Sequence, residues 1–202
     1  MNRSQRFARF TTNVVVRRPV LWRLLRGRVR AMFDVIAPTW EKRIGPDHVA
    51  ALGLALAALE PPRRALDLGT GTGIAAQTVA RRFPGADVIG VDLSPMMVAE
   101  ATRTRPPELA ERVRFEAGDA SALRFDDRAF ELVTLANMIP FFDELVRVVA
   151  PGGAIVISFS LGAETPIYVE PERLTRELGR RGFTDVAAFA AGTSTALLAR
   201  RS

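Results

Sequence analysis

A chain of 202 residues without cysteine and with one histidine, His48, is long enough to bury its own core. That composition excludes disulfides, thiolate metal sites and a histidine-rich metal centre, so no metal is expected, and it fits a reducing, cytoplasmic setting. The net charge of +6 is lopsided: residues 1–30 hold nine arginines and no acid, so the body is slightly acidic and the high pI is no sign of a nucleic-acid-binding face.

Residues 1–60 read as helices. Pro19 can open one that runs to about Phe33, with Leu21, Leu24, Leu25, Val29 and Met32 near one side and arginines between them. Such an arm fits a transit peptide, a membrane-surface helix or a helix that caps the body, and the capping role is the simplest. Arginines interrupt every apolar stretch that could form a secretory signal. Pro46-Asp47-His48 begins a further helix with Val49, Leu52, Leu56 and Leu59 at helical spacing, stopped by Pro61-Pro62.

From residue 63 the elements alternate. Strands are predicted at Arg64–Leu68, Asp87–Val91, Val113–Glu116, Phe130–Ala136 and Ala154–Ser160. Helices are predicted at Ile74–Phe83, from Pro95 onward with Ser94 as N-cap, at Phe141–Val149 and at Pro171–Arg181. Strands near Thr184–Ala190 and Thr195–Arg200 are joined by only four residues, so they form a hairpin. The expected fold is a Rossmann-like α/β domain: a seven-stranded, mostly parallel sheet with one antiparallel strand near the C-terminus and helices on both faces. The chain is expected to be one domain, with residues 1–60 as a helical cap and 61–202 as the α/β core.

Ligands of such sheets sit beyond the carboxyl ends of the strands. The run Leu66-Asp67-Leu68-Gly69-Thr70-Gly71-Thr72-Gly73 turns there from the first strand into a helix. Its glycines permit a tight turn and close approach of a ligand. The helix N-terminus suits an anion, and Asp67 suits an ammonium group. Asp92 ends the second strand, where a carboxylate accepts from ribose hydroxyls. Asp119 ends the third, where it can accept from an adenine amino group beside the Ala120 amide. Gly71-x-Gly73-x-x-Ala76 with a later acid also satisfies the dinucleotide fingerprint, which keeps an NAD-dependent oxidoreductase open as an alternative. Against that alternative stands Asp67, a negative charge where a pyrophosphate would lie.

Four segments together resemble the class I S-adenosylmethionine-dependent methyltransferases, in the broad subgroup that includes quinone-biosynthesis enzymes. They are Leu66–Gly73, Val91-Asp92-Leu93-Ser94-Pro95-Met96-Met97, Gly118-Asp119-Ala120 and Glu144–Gly153. The resemblance runs from about Phe33 to the C-terminus. It implies S-adenosylmethionine as cofactor, with Asp67, Gly69, Thr70, Gly71 and Gly73 around its methionine part and Asp92 on the ribose. Leu93, Met97 and Ala120 would surround the adenine, Asp119 would take its amino group, and Trp40 and Asn137 would flank the cofactor. Asn137-Met138-Ile139-Pro140 departs from the Asn-Pro-Pro-aromatic tetrad of base methyltransferases, because Pro140 stands where a flipped base would need an aromatic.

The resemblance implies methyl transfer to a small, apolar or amphipathic acceptor such as a quinone precursor, polyketide or lipid. A non-catalytic protein that binds the cofactor is a further alternative. Candidate acceptor contacts are Asn137, Tyr168 in the loop Gly162–Pro171, and His48. The acceptor pocket would be roofed by Phe7, Phe10, Trp22, Phe33, Trp40 and Ile167. The basic arm suits peripheral contact with a membrane or an acidic acceptor. The residues leave the acceptor and the oligomeric state undefined.

Overall fold

A computed structural model describes residues 3–45 and 47–202. The chain opens with α1 (Arg3–Arg17) and α2 (Trp22–Ile36), then two 3-10 turns and α3 (Ala50–Ala57). The alternating part follows as β1 (Arg64–Leu68), α4 (Ile74–Arg82), β2 (Asp87–Asp92), α5 (Pro95–Thr104) and β3 (Val113–Ala117). It continues through β4 (Phe130–Ala136), α6 (Phe142–Val148), β5 (Val149–Phe159), α7 (Pro171–Gly179), β6 (Phe183–Ala191) and β7 (Ser194–Arg201).

The strands form one sheet in the order β3-β2-β1-β4-β5-β7-β6. Only β7 is reversed: it pairs antiparallel with both β5 and β6, while the other pairings are parallel. Successive residues of the central strands therefore point to opposite faces, and both faces are covered. On one side Leu66, Leu68, Val133, Leu135, Ile155 and Ile157 join Trp22, Leu145, Leu174 and Leu178. On the other, Ala65, Leu132, Val156 and Leu198 join Leu52 and Leu56 of α3 and Ala76, Val79 and Phe83. The chain winds outward from β1 through β2 to β3, then resumes at β4 on the other side of β1. That reversal opens a crevice above the carboxyl ends of β1 and β4.

Ser94 caps α5 as its type suggests, accepting from the Met97 amide at 3.1 Å. Several expected boundaries and one expected helix face differ in the structure. Strand β5 starts at Val149, straight out of α6, and absorbs Pro151-Gly152-Gly153 as an irregularity between Phe130 and Leu132 of its partner. A Cβ on Gly153 would lie 2.8 Å from the Glu131 carbonyl oxygen, so the strands approach here only because Gly153 has none. The helix expected from Pro46 begins at Ala50, and Pro46 itself lies outside the described residues. Leu24 does not share a face with Leu25, Val29 and Met32. It is 79% exposed, as is most of Phe10, because the packed side of each helix is filled by other residues.

The cap is tied to the body. Val15 and Trp22 are buried in the core, Arg9 donates to the Ala163 carbonyl at 3.0 Å, and Arg173 donates to the Val16 carbonyl at 3.0 Å. No helix among the described residues is long and apolar enough to cross a membrane.

Candidate active site

The loop after β1 takes its shape from glycine. Gly69, Gly71 and Gly73 have φ of +68°, +55° and +87°, a region costly for side-chain-bearing residues. A Cβ on Gly69 would fall 2.6 Å from Met138 Cγ, which packs over the loop. The Gly69 and Thr70 amides donate to the Val91 carbonyl at 2.8 and 3.1 Å, fixing the loop against the end of β2. Asp92 completes the junction. Its Oδ2 accepts from the Gly71 amide at 2.9 Å and its Oδ1 from the Ser94 amide at 2.8 Å. Each oxygen keeps a further lone pair for a hydroxyl. Burial raises the Asp92 pKa, and the Ser94 and Gly71 amides pull the other way.

The other two rim acids have different surroundings. Asp67 is fully buried beneath the loop and does not reach the cavity described below. Thr134 donates to its Oδ1 at 2.7 Å, and its Oδ2 has no hydrogen-bond partner. Burial pushes its pKa up to about 6, against the pull of neighbouring hydroxyls. Asp119 is held by the cap: Trp22 Nε1 donates to Oδ1 at 2.9 Å and Arg26 to Oδ2 at 3.0 Å. The Ser121 amide and hydroxyl also donate to Oδ1. Burial opposes ionisation of Asp119, but these donors together hold its pKa below the ordinary value.

A cavity of about 440 Å³ lies between rim and cap. Gly69, Thr70, Asp92, Leu93 and Ala120 line it from the rim; Phe7, Trp22, Val29, Met32, Phe33 and Trp40 line it from the cap. Asn137, His48 and Ile167 also reach it. Gly71, Gly73, Met97 and Asp119 stand outside its wall. Of the expected roof, Phe10 alone turns away to solvent. Tyr168 is not at this site either. It packs edge-on against Phe159, with centroids 5.0 Å apart, and borders a smaller cavity against α1 while Thr165, Pro166 and Ile167 of the same loop enter the main one.

Asn137, at the end of β4, adopts a left-handed φ of +53°, which asparagine tolerates better than most residues. Its Oδ1 accepts from the Ser160 amide and its Nδ2 donates to Ser160 Oγ, both at 2.9 Å. The same Nδ2 lies 3.5 Å from His48 Nδ1. His48 is placed by the start of α3, where the Ala51 amide donates to the buried Ser194 hydroxyl at 2.9 Å. Burial lowers its pKa, so the ring is neutral at neutral pH. An amide N–H facing Nδ1 assigns the ring proton to Nε2.

Sequence reasoning missed Ser160, Thr11 and Met138. Ser160 follows the end of β5 beside Asn137, so its position on the rim was available from strand order alone. Thr11 and Met138 carry no local signal, because tertiary packing alone brings them to the cavity.

A family model described as a methyltransferase domain matches residues 65–153, from β1 to the glycines in β5. The chain is 45% identical over 141 residues to the demethylmenaquinone methyltransferase of Thermus thermophilus, across 62% of this chain and 63% of that protein. Residues 65–153 thus form a domain of the class I S-adenosylmethionine-dependent methyltransferase kind. The glycine run that also satisfies the dinucleotide fingerprint is thus a methyltransferase loop. Identity is 38% over 153 residues to the malonyl-acyl-carrier-protein O-methyltransferase of Halorhodospira halophila, across 68% of this chain and 49% of that protein. The chain thus spans about half to just under two-thirds of the length of these curated relatives. A solved structure of phosphoethanolamine N-methyltransferase 2 from Haemonchus contortus with S-adenosyl-L-methionine matches with a TM-score of 0.62. It is 18% identical and the match covers 83% of this chain and 57% of that one, a likeness of fold.

The residues present fit that cofactor. Thr72 Oγ1 is buried, lacks a partner and belongs to a cavity-lining residue of the loop, while the Thr70 hydroxyl turns down toward the Asp67 carboxylate. Buried polar atoms without partners are costly and so mark places where a polar ligand is awaited.

Proposed function

We propose that this methyltransferase moves a methyl group from S-adenosylmethionine to a small, apolar or amphipathic molecule, of the quinone-precursor, polyketide or lipid kind. One observation carries the reading: a single cavity is bounded on one side by the cofactor rim and on the other by aromatic and aliphatic side chains of the cap. The two relatives named above act on a menaquinone precursor and on a carrier-bound malonyl group, so family alone does not choose the acceptor. The apolar wall supports the first kind.

The cofactor, when bound, supplies a methyl group already activated on a sulfonium. The chain's task is to hold, orient and dehydrate the reactants. Asp92 would accept from ribose hydroxyls with its free lone pairs. Gly69, Thr70 and Thr72 would hold the methionine part, and Leu93 and Ala120 the adenine. Gly71, Gly73 and Met97 would act from behind the wall by shaping the loop and α5. Asp67 would act through its charge rather than by contact. Asp119 would be a positioning residue that fixes α2 as a wall of the adenine side. Trp40, 5.7 Å centroid to centroid from Phe33, would close the methionine end.

His48 and Asn137 would serve the acceptor. With Nδ1 turned toward the Asn137 amide, His48 offers Nε2–H, a donor suited to an oxygen of the acceptor, rather than a base.

Transfer of label from methyl-labelled S-adenosylmethionine into organic-extractable quinols, with nucleic acid as a parallel acceptor, tests the reading. Calorimetry with S-adenosylhomocysteine and then NAD tests the pocket. Label in nucleic acid, or affinity for NAD alone, would refute it. Tight S-adenosylhomocysteine binding with no transfer to any acceptor would instead favour a binding protein.

A further inference from the structure

We propose that the outer face of α2, with the corner before it, docks on an anionic lipid surface. Helix α2 is apolar on two sides. Trp22, Val29, Met32, Phe33 and Ile36 turn inward and line the cavity. Val20, Leu24 and Val35 turn outward and are 70%, 79% and 80% exposed. Leu24, Ala31 and Val35 are seven and four residues apart, so they stack along one side of the helix, and Ala31 and Gly27 between them are exposed too. Among the described residues, none buries this strip.

The strip is edged with arginine. Arg23 and Arg30 follow one border, Arg28 the other, and Arg17 and Arg18 lie at the corner, all exposed. Residues 3–33 contain no acid. The one acid of α2, Asp34, is already engaged: Ser94 Oγ donates to it at 2.5 Å, and Arg30 lies 3.5 Å away. Exposed apolar side chains between arginines are the pattern of a helix lying in a bilayer interface, the apolar groups among the upper acyl chains and the guanidinium groups among lipid phosphates. A nucleic-acid duplex would engage the arginines but would leave the apolar strip in water.

The geometry gives docking a consequence. The strip and the cavity wall are opposite sides of one helix, about 10 Å thick. An apolar acceptor dissolved in the bilayer would then be one helix diameter from the cavity. This consequence rests on the methyl-transfer reading; the docking itself does not.

The test is flotation of the full chain with phosphatidylglycerol–phosphatidylcholine vesicles, against pure phosphatidylcholine vesicles. A Leu24→Glu/Val35→Glu variant is run beside it, and S-adenosylhomocysteine affinity is measured on each sample. The chain is expected to float with anionic vesicles, at least roughly tenfold less with neutral ones and roughly tenfold less as the double variant. Cofactor affinity is expected to stay unchanged throughout, which separates this result from the fate of the methyl-transfer reading. Absence of flotation with anionic vesicles at low salt would overturn the proposal. So would flotation that the double variant leaves intact, or retention on duplex DNA without retention on vesicles.

Discussion

Replacing Asp67 with asparagine sets stability against cofactor binding. The carboxyl group is fully buried, with one oxygen bonded to Thr134 and the other unpartnered, and burial raises its pKa from 3.8 to about 6. An acid with a raised folded-state pKa binds more protons folded than unfolded. Its contribution is therefore most favourable below about pH 4 and is lost as pH rises through 6. Linkage puts the destabilisation at roughly 1–2 kcal/mol at pH 5 and about 3 kcal/mol at pH 7.5. Asparagine keeps an oxygen for Thr134 and removes the charge, but its amide N–H takes the unpartnered place at a cost of about 1–3 kcal/mol. That cost does not vary with pH; the gain does. Urea unfolding of both proteins at several pH values should show the variant gaining roughly 1–2 kcal/mol on the parent between pH 5 and 7.5. S-adenosylmethionine affinity at pH 7.5 should fall roughly tenfold, since the negative charge below the loop is gone. A stability difference independent of pH would refute the argument, because it would mean that the Thr70, Thr134 and Ala76 donors offset the burial cost of the carboxylate.

Other perturbations probe the remaining groups. Asp92→Ala removes the acceptor of two backbone amides as well as the ribose contact, so S-adenosylhomocysteine affinity should drop by about 1.5–3 kcal/mol in calorimetry; unchanged affinity would discard the ribose assignment. Trp22→Phe keeps the ring against Phe141 but loses the N–H bonded to Asp119, and should lower stability by about 1–2 kcal/mol in urea titration. His48 is the only histidine, so its nitrogen-15 resonances are unambiguous. They should report the Nε2–H tautomer and a midpoint below 6.5, with stability lost as pH falls below 6.5 because only the unfolded chain then takes up the proton readily.

The sheet was legible because each of its signals is local. Alternating strand and helix patterns, the N-cap at Ser94, the helix-opening Pro171 and the hairpin link, expected at four residues and found to be the two residues Gly192-Thr193, each constrain a few neighbouring residues, and together they leave one topology. The loop from Leu66 to Gly73 was legible for the same reason. The cap was harder. Composition marks α2 as basic and apolar, but its leucines lie on two faces, and only the packing of Trp22 against Phe141, centroids 5.3 Å apart, shows which face is inside. Tyr168 was misjudged on similar grounds. Its loop does enter the cavity, but through Thr165, Pro166 and Ile167, and a register one residue along turns the ring away.

Three acids lie at the ends of three adjacent strands, and the sequence assigns all three to direct contact with the ligand. Their surroundings do. Asp92 binds two main-chain amides at 2.8 and 2.9 Å, so it holds loop and α5 together while keeping capacity for a ligand. Asp119 is charged and already bonded to Trp22 and Arg26 of the cap. One link between rim and cap thus passes through the residue that sequence alone would assign to adenine; another is the Ser94 hydroxyl bonded to Asp34. Asp67 is sealed beneath the loop and only partly compensated. Asp119 Oδ1 is filled by Trp22 and Ser121, whereas Oδ2 accepts only from Arg26, so an adenine amino group would either share Oδ2 with Arg26 or displace Trp22 from Oδ1. In the second case occupancy of the adenine side and the position of the cap would be coupled through one carboxylate. If adenine displaces Trp22 from Asp119, Trp22→Phe should tighten cofactor binding; if Asp119 serves only to place α2, the same change should weaken it.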